Sequence, residues 1–152
     1  MSGALAFLSG KGQDHRGRTL DDLLALDDAA LEYLHDYVQW LFPLPESSRF
    51  NARAPVLSAK DIAVLRADAV AAANLRRAAT RMLSFYDAND HWLTAFDHNH
   101  LRITRIIRCL ALILGRDEAE TFHRRIEARV VAAGEPVNAE SRRYWREAIP
   151  SH

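Results

Sequence analysis

The sequence predicts an all-α fold: a single-domain, irregular bundle of five to seven helices. Three observations predict it. Apolar residues recur at three- and four-residue spacing through most of the chain. No run alternates apolar with polar residues as a half-buried strand would. Residues that cap helices stand before the periodic segments (Thr19, Asp27 or Asp28, Ser58, Asn138), and helix-stopping Pro43, Gly115, Gly134 and Pro136 stand after them. A chain of 152 residues is one domain's worth, and its unequal loop lengths argue against a regular up-down bundle.

Residues 1–18 are Gly-rich and are expected to form an extended arm, leaving 19–149 as the helical domain. Thr19 can cap a short helix over Leu20 to Leu26, and Asp27 or Asp28 can cap a longer one reaching Phe42. Pro43 stops that helix, since proline restricts the residue before it and offers no N–H. Residues 43–57, with Pro43, Pro45 and Pro55, should form an ordered crossing loop. Ser58 caps the next helix, and Asp61 sits where a capping-box acid belongs. Ile62, Leu65, Ala69, Ala72, Leu75, Ala79, Met82, Leu83 and Tyr86 keep helical spacing, with a break expected near Ala67-Asp68. After a loop from Asp87 to Asp97, a helix spans about 98–114 and ends at Gly115. Asp117 opens a helix with Ala119, Phe122, Ile126 and Val130 as its inner face. Gly134 and Pro136 end it, and Asn138 caps a last helix carrying Tyr144 and Trp145.

The helix leading to Phe42 is the most informative. On a helical wheel Leu31, Leu34, Val38, Leu41 and Phe42 form one apolar stripe, and Tyr33, Tyr37 and Trp40 form a second beside it. An apolar arc that wide belongs to a central helix, which makes Trp40 a core anchor. The arc that remains holds Glu32, His35, Asp36 and Gln39. That row reads as a solvated strip, as the wall of a groove, or as an internal hydrogen-bond network.

The stretch His35-Asp36-Tyr37-Val38-Gln39-Trp40-Leu41-Phe42-Pro43 resembles the signature of the opioid growth factor receptor conserved region. Flanking pieces are similar too: Phe7-Leu8-Ser9-Gly10, Asp14, Gly17-Arg18-Thr19-Leu20, Asn51 and Ala54-Pro55-Val56-Leu57. So are Met82-Leu83-Ser84-Phe85-Tyr86, residues His98 to Ile106, and Tyr144-Trp145. The resemblance implies a family whose animal members are receptors for an enkephalin-type opioid peptide and act around the nucleus. This chain resembles a bacterial member lacking their C-terminal repeat tail. The resemblance carries no residue-level peptide-binding or catalytic motif.

Composition sets further bounds. Net charge is zero, so no global field recruits nucleic acid or an anionic membrane. Residues 19–46 carry seven acids and no Lys or Arg, whereas 98–152 carry ten Arg against seven acids. Mutual pairing of an acidic N-terminal helix with basic C-terminal helices is the expectation. Eighteen of the twenty basic residues are arginine, which suggests a GC-rich bacterial source. The single Cys109 falls on an apolar helix face and reads as a small buried hydrophobe. The longest N-terminal apolar run, Ala4 to Leu8, is too short for a signal segment, and no stretch is long enough to span a membrane. The chain reads as cytoplasmic.

Chemistry-bearing residues are few. His98 and His100, near His91 and Asp97, form the one cluster with metal-like residue types. Histidine ligands on a helix want i,i+4 spacing, and these two would lie about 200° apart. Helix capping by Asn99 or His98, with His100 at the surface, fits better; His15, His123 and His152 have no companions at useful spacing. Arg102, Arg105 and Arg108 step around their helix, with Arg102 at the edge of the apolar face, where it needs a carboxylate partner or binds an anion. Phosphate loop, nucleophile elbow and paired-carboxylate motif are all missing. The sequence therefore favours a non-catalytic helical interaction module for a peptide, protein or small ligand, without cofactor or metal. The alternative is a small enzyme, a metal-dependent hydrolase, built on His35, Asp36 and the His91/His98/His100 cluster. If there is a site, its expected lining is Glu32, His35, Asp36 and Gln39 on one side and His98, Asn99, His100, Arg102 and Arg105 on the other, with Asp36 or Glu32 paired to Arg102 or Arg105. Neither the ligand nor the oligomeric state is readable.

Overall fold

A computed structural model describes residues 2–48 and 51–151. It is all-α, with nine helices among the described residues. The chain divides into two compact units, Met1–Ala78 and Ala79–His152, the boundary falling inside the long helix α6.

The first unit begins with an unexpected helix. The arm read as extended instead forms α1 (Gly3–Leu8), capped by the Ser2 hydroxyl, which accepts from Leu5 N–H. The reason is burial: Ala4, Phe7 and Leu8 all go into the core, and α1 packs against α4 and α5. The chain then turns back so tightly that a Cβ on Gly12 would lie 2.8 Å from that of Ala6. α2 (Leu20–Leu24) carries a complete capping box between Thr19 and Asp22. α5 (Ala59–Ala67) carries the expected one between Ser58 and Asp61. At Asp68 the chain leaves helical geometry, and its carboxylate accepts from Val70 and Ala71 N–H to start α6 (Ala69–Ala88).

The largest departure lies in the signature segment. One continuous helix to Phe42 was expected; two short ones are found, α3 (Asp28–Tyr33) and α4 (Val38–Leu41), separated at Leu34, whose ψ of 142° is extended. The break dissolves the wheel. Tyr37 and Trp40 are buried, while Tyr33, placed on the same stripe, is 80% exposed. The row Glu32, His35, Asp36, Gln39 is likewise split: His35 is exposed, Glu32 and Asp36 are half-buried, and Gln39 is buried. Pro43 stops α4, and Leu44 and Val56 form an isolated bridge across the crossing loop, whose residues 49 and 50 lie outside the described ones.

The second unit follows the sequence closely. α7 (Asn99–Ile113) packs against α8 (Arg116–Ala132) and α9 (Ala139–Glu147). Ala119, Phe122, Ile126 and Val130 are the buried face of α8, as their spacing requires. Gly115 ends α7 with φ of 104°, a region open to glycine and costly for other residues. Asn138 caps α9 by accepting from Ser141 N–H. No helix among the described residues is long and apolar enough to cross a membrane.

Candidate functional site

Opening the chain between α3 and α4 turns backbone groups and the Asp36 side chain away from a helix and toward partners distant in sequence. The Tyr37 hydroxyl donates to the Leu31 carbonyl at 2.5 Å. Asn51 Nδ2 donates to the Asp36 carbonyl at 3.3 Å. The Asp36 carboxylate accepts from Arg16 Nη1 at 2.8 Å and from Arg18 Nη2 at 3.1 Å.

The strap that supplies those arginines is itself organised by one acid. Asp14 is buried; its Oδ1 accepts from the backbone N–H of Arg16 and Arg18, and its Oδ2 from Arg18 Nε at 2.7 Å. Between Asp14 and Arg16, His15 offers Nδ1 to the indole Nε1–H of Trp40, 3.1 Å away. Phe7 meets the same indole edge-on, with ring centroids 5.5 Å apart. Trp40, 6% exposed, is thus the core anchor that the sequence called for.

Around this break lies an open depression of about 580 Å³, lined by Arg16, Glu32, Tyr33, Leu34, His35 and Asp36. Partial burial, the largest single effect, would raise the Asp36 pKa, but the hydrogen bonds and positive charges of Arg16 and Arg18 together outweigh it and leave the carboxyl below its ordinary value. Asp36 therefore stays ionised as the centre of a three-residue ion cluster. An exposed aromatic beside a fixed charge cluster, on an open surface, suits non-covalent contact with a partner.

The second predicted row lies in the second unit and is mostly interior. Asn99, His100 and Arg102 are buried. Asn99 Oδ1 accepts from the Tyr86 hydroxyl at 3.2 Å, and its Nδ2 donates to Asp97 Oδ1 at 2.9 Å. His100, expected at the surface, pairs its Nε2 with the Trp92 carbonyl at 2.8 Å, and its own carbonyl accepts from Trp145 Nε1 at 3.0 Å. These groups tie α7 to the Trp92 loop and to α9. The physical reason for the correction is that aromatic N–H groups taken into a core need acceptors. Arg102 Nη1 lies 3.5 Å from Asn99 Oδ1. His98, exposed, stands at the N-cap of α7 with no side-chain capping bond, and Arg105 is half-buried. No group of three or more His, Cys, Asp or Glu among the described residues is placed to hold a metal. Burial pushes the Cys109 thiol up to about 12, which keeps it protonated and inert.

Two acids of the 19–46 stretch pair with arginines of the first unit: Asp21 with Arg77, and Asp36 with Arg16 and Arg18. Sequence spacing missed His15, Arg16 and Arg18, because their partners stand 18 to 25 residues away. His152 lies outside the described residues.

Residues 18–91 match the family model described as "Opioid growth factor receptor (OGFr) conserved region". The opioid growth factor receptor of Mus musculus is 36% identical over 98 residues, covering 53% of this chain and 15% of the mouse protein. That of Rattus norvegicus is 34% identical over 98 residues, covering 53% of this chain and 17% of the rat protein. The alignments thus span about a sixth of those relatives' length. No solved structure is a significant match. The resemblance read from Gln39-Trp40-Leu41-Phe42-Pro43 is shown over 18–91; the similar pieces before residue 18 and from His98 onward lie outside that span.

Proposed function

We propose that this chain, which carries the opioid growth factor receptor conserved region in residues 18–91, is a non-catalytic recognition module whose ligand is a peptide or protein segment. The site we propose is the depression at the α3–α4 break, with Glu32, His35 and Asp36 from the predicted row joined by Arg16, Tyr33 and Leu34. One observation carries the reading: Tyr33 is 80% exposed beside the Asp36 ion cluster. Interfaces gain most of their energy from aromatic and arginine anchors ringed by polar groups. A small molecule is enclosed over most of its surface by its pocket, and this depression is too open for that. A chain segment laid across it is the better fit. The relatives' name supports a binding role of the same class, since it designates a receptor for an opioid growth factor. The predicted second row, His98, Asn99, His100, Arg102 and Arg105, contributes to the stability of its own unit in this reading. The hydrolase alternative on His35, Asp36, His91, His98 and His100 gains no support.

The test is affinity capture with the wild-type chain and with Tyr33→Ala, followed by mass spectrometry of what is retained. A partner held by the wild type and lost by Tyr33→Ala, with the melting temperature unchanged, supports the site. A partner held equally by both moves recognition to another surface. Stoichiometric zinc, manganese or iron in the purified protein would reopen the enzymatic reading.

A further inference from the structure

Three consecutive residues of the N-terminal strap hold three different contacts. Asp14 fixes the strap's own turn, His15 accepts from the buried indole of Trp40, and Arg16 pairs with Asp36 at the rim of the depression. The middle contact depends on protonation. An indole N–H can only donate, so His15 Nδ1 must carry a free lone pair, and the ring must be neutral with its proton on Nε2. A second proton would set N–H against N–H at 3.1 Å. Stacking does not rescue that state. The ring centroids are 6.1 Å apart with planes inclined by 26°, so the imidazole meets the indole at its N–H edge. A cation is attracted to the face of an aromatic ring and repelled by its edge.

We propose that His15 is a proton-operated latch on the recognition site. Neutral, it holds residues 14–18 on Trp40 and keeps Arg16 and Arg18 engaged with Asp36. Protonated, it lets the strap go and leaves the Asp36 carboxylate open to a cationic group of the ligand. Among the described residues, the charged groups tied into the same strap are Asp14, Arg16 and Arg18 on its own loop and Asp36 on the α3–α4 connection; Phe7 of α1 meets the indole edge-on and carries no charge. The consequence for binding rests on the site proposed above. The latch itself does not, because it can be read without a ligand.

The experiment follows the Trp40 indole N–H by nitrogen-proton correlation spectroscopy of the 15N-labelled chain, from about pH 8 to about pH 5, the range in which histidines titrate. Trp40→Phe identifies the resonance, and the ring signals of His15 report its ionisation directly. The expected result is one transition of the Trp40 signal coinciding with the ionisation of His15, with solvent exchange of the indole proton below it about tenfold faster than in His15→Gln at the same pH, the factor given by losing one ordinary hydrogen bond. In His15→Gln, whose amide oxygen can accept but does not titrate, the signal should stay fixed and protected throughout. In His15→Ala it should exchange faster than in His15→Gln at every pH. A Trp40 signal that ignores the ionisation of His15, or that moves equally in His15→Gln, overturns the latch. A latch that titrates as described while Tyr33→Ala still captures the partner would overturn the site alone.

Discussion

Tyr37 places its hydroxyl on the carbonyl of Leu31, six residues back, at 2.5 Å. A helical Leu31 carbonyl would meet the N–H of residue 35, and the phenol therefore takes part in closing α3 at Tyr33, well short of the Phe42 end that the sequence predicts. The ring is fully buried, so the bond forms in a low-dielectric setting where an ordinary hydrogen bond keeps its worth.

Tyr37→Phe keeps that ring and removes only the bond. The expected loss is about 1 kcal/mol in urea unfolding, with an unchanged m-value because packing is retained. A variant as stable as the wild type would mean that α3 ends for another reason.

Trp40→Ala should be far more costly. The indole is enclosed by Phe7 and His15, and truncating a buried large aromatic costs about 3–5 kcal/mol. Chemical denaturation measures this directly; a shift below about 1 kcal/mol, the size of a single ordinary hydrogen bond, would show that the N-terminal strap adds little cover.

What was legible in the sequence is what local physics decides. Ser58 with Asp61, Asn138, Gly115 and the α8 face of Ala119, Phe122, Ile126 and Val130 were all placed correctly, because caps and 3.6-residue periodicity act within a turn or two. The α3–α4 break was not legible. Leu31, Val38 and Leu41 satisfy helical spacing whether or not the helix is continuous, and the groups that make the break worthwhile arrive from Arg16, Arg18 and Asn51. α1 was missed for a related reason: a six-residue helix is too short to be stable alone and exists because Phe7 and Leu8 have a core to enter. The surface position expected of His100 was misread because polar residue types on α7 look the same whether they face solvent or serve buried Trp92 and Trp145.

Asp36 gives a prediction about acid. Its folded-state pKa lies below the ordinary 3.8, so its ion cluster contributes stability that is present above that value and lost as pH falls through the lower folded-state pKa. In a His15→Gln background, which keeps the strap on Trp40 at every pH, Asp36→Asn should therefore melt below its parent at neutral pH, and the gap should close only under strongly acidic conditions. Melting temperatures measured in parallel across pH decide it; a gap that already closes in the ordinary carboxylate range would show that Arg16 and Arg18 do not hold the acid as found.

His123 should also cost stability in acid, but in a higher pH range and through burial of its ring. Burial lowers its pKa below 6.5, and the Arg146 and Arg142 charges add to that while Glu127 and Glu120 oppose it. Its Nε2 is buried and lies 3.9 Å from Glu127 Oε1, beyond hydrogen-bonding reach. Above pH 6.5 the ring is neutral folded or unfolded, and its ionisation contributes nothing. As pH falls below 6.5 the unfolded chain takes up a proton that the folded one resists, so stability is lost until the folded-state pKa is passed. His123→Leu fills similar space, removes the enclosed ring nitrogen and cannot titrate. It should match the wild type within about 0.5 kcal/mol at pH 8, the spread of changes that disturb no special feature. It should then gain on the wild type steadily as pH drops from 6.5 toward 5. Urea midpoints for the two proteins over that range are the measurement, and parallel pH curves would show that the His123 ring reaches water freely in the folded protein.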